Sequence, residues 1–127
     1  MWLFTRYGFY SVACASKADG TIDTASLMIR ARSFDHLKNL QARFPALAST
    51  EILVWPNRDY RYRIIVPKSA WALVVTELAE EQEWSNFKNE TAHHQGSEGS
   101  AYVHALHEVW DVMNRFQANS ARKRKPV

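Results

Sequence analysis

Two stretches of this chain alternate strictly enough to leave few folds open. In "SLMIRARS", Leu27, Ile29 and Ala31 interleave with Met28, Arg30 and Arg32, and in "DYRYRIIV", Tyr60, Tyr62, Ile64 and Val66 interleave with Arg61, Arg63 and Ile65. A period of two places the two sets on opposite faces of a strand. Burying the apolar sets projects Arg30, Arg32, Arg61 and Arg63 from the other face. The opening "MWLFTRYGFYSVACA" reads as one long strand over residues 2–15, whose alternation adds Trp2, Phe4, Arg6, Gly8 and Tyr10 to that outer face and sends Leu3, Tyr7, Phe9 and Ala13 inward. A bulge at Gly8 would reverse the facing of Tyr10.

The strands are separated by readable punctuation. "SKADGT" carries an Asp-Gly turn and "PNR" a second hairpin connection. Ser33 is placed to cap a helix through "FDHLKNLQARF", stopped by Pro45, and Ser69 to cap a second through about Trp84, with Glu77, Glu80 and Glu81 turned to water. "SNFKNE" predicts a short helical turn, "HHQGSEGS" a polar loop, and residues 100–117 a last helix with Tyr102, Ala105, Leu106, Val109, Met113 and Phe116 on one face. The expected architecture is α+β: a four-stranded, mostly antiparallel sheet of two hairpins in the order β-β-α-β-β-α-α, with all helices on one face and the other face open. Residues 1–118 form one globular domain in this reading, and 119–127 a basic disordered tail.

The net charge of +3 hides a strong segregation. Residues 1–68 hold ten Lys/Arg against five Asp/Glu, residues 69–118 two against eight, and residues 119–127 four against none. A polyanion would therefore approach the front half. With one cysteine, Cys14, no intrachain disulfide forms. No apolar run reaches membrane-span length and no secretory cleavage pattern follows the opening, so a soluble, cytoplasmic protein is expected.

The expected binding face comprises Arg6, Tyr10, Arg30, Arg32, Arg61 and Arg63, interleaved with aromatic rings. Guanidinium groups meet phosphates and rings stack on unpaired bases, so this composition fits single-stranded nucleic acid. It also fits a protein partner, a second copy burying the sheet face in a homodimer, or a merely solvated sheet. Signatures of catalysis are weak. His93, His94, His104, His107 and Asp111 suggest a small metal-dependent hydrolase or nuclease as the alternative, but the last three lie opposite the apolar stripe of their helix, towards water. Cys14, Ser11 and Ser69 lack a nucleophile's surroundings, Lys88 reads as an exposed lysine, and "GSEG" lacks the sequel of a phosphate loop. No cofactor or metal is expected, and the reading is of a non-enzymatic binding module.

Two resemblances sit beside these readings. "RYGFYSV" resembles the aromatic strand motif of RNA-recognition-motif proteins over seven residues, with different spacing and on the first strand rather than the third, so it carries no assignment. "MWLFTRYGFYS" with "YRYRIIVPK", "NFK" and "HEVWDVM" resembles a group of small bacterial proteins of unknown function. That resemblance implies a bacterial, cytoplasmic, single-domain protein and transfers no activity or site residues.

Overall fold

The first surprise is at Arg6 and Tyr7, where the opening stretch reverses direction instead of continuing as one strand. In the computed structural model, which describes residues 1–124, β1 (Trp2–Thr5) and β2 (Gly8–Ser16) form an antiparallel hairpin with Thr5 opposite Gly8. The Thr5 hydroxyl closes the turn, donating to the Gly8 carbonyl (2.9 Å) and accepting from the Tyr7 and Gly8 amides (3.1 and 3.2 Å). Gly8 has φ +155°, and a Cβ there would overlap the His36 ring, so only glycine suits the position. β3 (Ile22–Ala31) follows the Asp-Gly turn and pairs with β2 through a bulge at Cys14/Ala15. After α1 (Phe34–Arg43), β4 (Leu53–Val54) and β5 (Tyr62–Pro67) complete the sheet.

The result is an α+β fold with an open antiparallel sheet of five strands, in the order β1-β2-β3-β5-β4, rather than the four expected. The extra strand comes from the hairpin turn, which also changes the facing rule. Residues of β1 and β2 that pair differ in parity, Trp2 with Ser11 and Phe4 with Phe9, so Trp2 and Phe4 stay on the outer face while Phe9 replaces Tyr10 there.

α1 packs on β2 and β3, and α2 (Lys68–Glu80) packs on β3 and β5. Tyr10, Val12, Ile29, Ala31, Ile64 and Val66 meet Leu37, Leu40, Trp71 and Val74 in one core. Pro67, not Ser69, stands at the start of α2. Its ring fixes φ at −59°, where a strand can pass directly into a helix. Ser33 precedes α1 in extended backbone but its hydroxyl makes no capping bond.

The described residues form two compact units, 1–84 and 85–124. In the second, α3 (Phe87–Gln95) is capped by Asn86, whose side chain accepts from the Asn89 amide (3.0 Å). His93 and His94 therefore occupy its last turn rather than a loop, and the helix stops at Gly96 with φ +66°. α3 packs on α4 (Ser100–Arg124), with Thr91, Tyr102 and Leu106 buried. α4 carries residues 119–124, expected as a disordered tail, as helix. Alanines and charged residues are good helix formers and the terminal cations complement the helix dipole. The remaining tail positions, 125–127, lie outside the described residues. Among the described residues no helix is long and apolar enough to cross a membrane.

Candidate nucleic-acid interface

The outer face of the first unit's sheet is organised by one rung of the ladder. Trp2 lies opposite Ser11, Ser11 opposite Arg30, Arg30 opposite Arg63, and Arg63 opposite Leu53. Directly paired residues share a face, so Trp2, Ser11, Arg30 and Arg63 form a row across four strands. At one strand spacing per step the row spans roughly 14 Å.

The loop between β4 and β5 folds over one end of this row. Trp55 N–H donates to the Arg61 carbonyl (2.7 Å) and Arg58 N–H to the Trp55 carbonyl (3.2 Å), which closes the loop compactly. Tyr60 thereby leaves the alternation assigned to it. Instead of facing the helices with Tyr62, its ring lies 4.9 Å from the Arg30 guanidinium and 4.3 Å from that of Arg32, with Phe9 at 6.4 Å. Arg63 lies 4.1 Å over the Trp55 ring, with Arg58 at 5.9 Å from the same ring. At the other end Phe9 stacks on Phe4 at 4.4 Å and meets Trp2 edge-on at 5.8 Å.

The polar contacts of these arginines are all to neutral acceptors. Arg30 donates to the Ser11 hydroxyl (2.8 Å), Arg32 to the Asp59 carbonyl (2.8 Å) and Arg63 to the Tyr60 carbonyl (2.8 Å). Among the described residues no carboxylate forms an ion pair with Arg30, Arg32, Arg58, Arg61 or Arg63. Arg63 is the extreme case: it is only 5% exposed and its Nε is buried without a partner. Burial, then the neighbouring Arg30 and Arg58 charges, push the Arg63 pKa below the usual arginine value. A buried cation beside two like charges is costly unless an anion compensates it.

Of the six residues expected in the site, the fold brings together Arg30, Arg32 and Arg63. Arg61 is exposed one residue before β5 and takes no part in the row. Arg6 is elsewhere: in the β1–β2 turn it reaches Glu81 (3.5 Å) and lies 4.9 Å from the Trp84 ring. Glu81, expected to face water, is 11% exposed and also holds Arg43 (3.0 Å) and the Tyr7 hydroxyl, which donates to it at 2.9 Å. Burial and that carboxylate raise the Tyr7 pKa. Tyr10 is fully buried, its hydroxyl donating to the His36 carbonyl (2.6 Å). Sequence reasoning missed Trp55, Arg58 and Tyr60. The signal available was the compact "WPNRDY" connection, with a ring at each end and an arginine between.

The histidine group does not assemble. His104 pairs with Glu108 (2.9 Å), one helical turn away on the exposed side of α4, and His107 approaches the Lys88 ammonium (3.3 Å). Among the described residues no three His, Cys, Asp or Glu side chains are grouped to hold a metal ion. No protein-family model, curated protein or solved structure matches the chain.

Proposed function

We propose that the outer sheet face of the first unit binds single-stranded nucleic acid as a non-catalytic module. The observation that carries the reading is a cluster of arginines with which, among the described residues, no carboxylate forms an ion pair, and in which Arg63 is only 5% exposed. The exposed guanidiniums of Arg32 and Arg58 each have five N–H donors and spend few of them internally, which leaves edges for phosphate oxygens while they rest on the Tyr60 and Trp55 rings; the buried Arg63 charge adds to the positive field behind them. Trp2, 70% exposed, and Trp55, 42% exposed, offer ring faces at the two ends of the row for unpaired bases. A row of roughly 14 Å accommodates two to three nucleotides of extended strand. A duplex would present its bases stacked and inaccessible to these rings.

Fluorescence anisotropy of a labelled oligothymidine at low salt tests this. Binding is expected to weaken at least tenfold in Arg32→Glu combined with Arg58→Glu, both exposed positions, and several-fold in Trp55→Ala. For three or four phosphates, the logarithm of affinity should fall against the logarithm of salt with a slope of about −2 to −3. Absence of binding at low salt, or binding indifferent to the double substitution, would remove the reading.

A further inference from the structure

The apolar stripe of α4 runs past its cover. α3 has nine residues, about 14 Å of helix, whereas α4 has 25, about 37 Å. Tyr102 and Leu106 are buried, but Val109, Trp110, Val112, Met113 and Phe116, continuing along the same stripe, are 37%, 54%, 53%, 54% and 63% exposed. At 100° per residue all seven fall within an arc of roughly 160°. Together these five side chains form an apolar patch of about 500 Å², the size of the largest patch on a typical monomer, which often has a function; the Lys88 ammonium of α3 lies 5.0 Å from the Trp110 ring at its edge.

The charges on α4 select what covers it. The first half, to Val112, carries Glu108 and Asp111 and no Lys or Arg; the second half carries Arg115, Arg122, Lys123 and Arg124 and no acid. Of these charges, Glu108 and Arg115 flank the exposed stretch of the stripe; copies laid antiparallel can set Glu108 of each against Arg115 of the other, whereas parallel copies stack like on like. We infer that α4 pairs antiparallel with α4 of a second copy of this chain, about a twofold axis near Val112 and Met113. In that register Val109 of one copy lies beside Phe116 of the other. Glu108 and Arg115 share one flank of the stripe, about 20° apart around the helix, so the axis brings Glu108 of each copy to Arg115 of the other. Both patches together remove about 1,000 Å² of surface, and the polar flanks add more, which reaches the range of specific interfaces.

Sedimentation equilibrium of the full chain tests the pairing. A dimer dissociating in the micromolar range is expected. Met113→Glu, at an exposed position that leaves the α3–α4 core intact by circular dichroism, should weaken it at least a hundredfold. Glu108→Arg and Arg115→Glu should each weaken it several-fold, and the two together should restore the dimer. A monomer at all concentrations, a dimer that survives Met113→Glu, or a double charge exchange weaker than either single change would overturn the proposal.

Discussion

Arg63 shows how one side chain can be unfavourable for the fold and informative about function. It is nine-tenths buried, stacks on Trp55, donates to the Tyr60 carbonyl and leaves Nε without a partner, beside Arg30. Exchanging a buried charge of this kind for an apolar side chain of similar length is often neutral or stabilising. Arg63→Met is therefore expected to hold or raise stability, by about 1 kcal/mol in urea unfolding, while lowering oligonucleotide affinity at least tenfold. A loss of stability of several kcal/mol would instead mark Arg63 as part of the framework. The alternation made the facing of Arg63 legible. That no carboxylate among the described residues pairs with it was not, because no local rule says which acids the chain brings near.

At the scale of elements, the β1–β2 hairpin is tied to α1 through His36 and through Asn39, whose side-chain amide donates to the Tyr7 carbonyl (3.2 Å). Phe9 N–H donates to His36 Nδ1 (3.2 Å), and Tyr10 donates to the carbonyl of the same residue. Accepting at Nδ1 requires the neutral imidazole, and burial lowers the His36 pKa from its ordinary 6.5 despite the opposing charge of Asp35. Below pH 6.5 the unfolded chain takes up a proton that the folded one resists, so stability is full above 6.5 and falls as pH drops through the interval beneath it. Urea midpoints measured between pH 7.5 and 5 should show this decline, and His36→Asn, which still offers an acceptor but does not titrate there, should flatten it. A decline unchanged in His36→Asn would assign it to other groups. The same element shows where reading stopped. "MWLFTRYGFY" contains the glycine that permits the turn, yet its strand-forming residues continue on both sides, and the turn is decided by the Thr5 hydroxyl and the space His36 leaves at Gly8.

For the whole molecule, the two proposals combine. A dimer through α4 carries two sheet faces, and one strand long enough to engage both gains effective concentration. Met113→Glu is then expected to leave affinity for a six-nucleotide strand unchanged and to weaken binding of a long one at least tenfold, by anisotropy under the same salt. Equal losses on both lengths would mean that the substitution reaches the sheet face itself. The charge segregation along the chain was visible beforehand. That the acidic and basic halves of α4 sit on one continuous helix was not, because the last basic residues carry no apolar period and helix propensity alone extends the element.

The amino-acid order by itself determined the class of fold, the antiparallel strands and the outward facing of Arg30, Arg32 and Arg63, because side-chain alternation and turn chemistry are local and each strand carries its own copy of the rule. Only the tertiary structure decided the rest. It turned Arg6 to Glu81, buried Tyr10 under His36 and folded Tyr60 over the arginines, because a two-residue turn inverts parity and a loop's path depends on what it can pack against. It also left five apolar residues of α4 in water, since whether a stripe is covered depends on the length of its neighbour and not on the stripe.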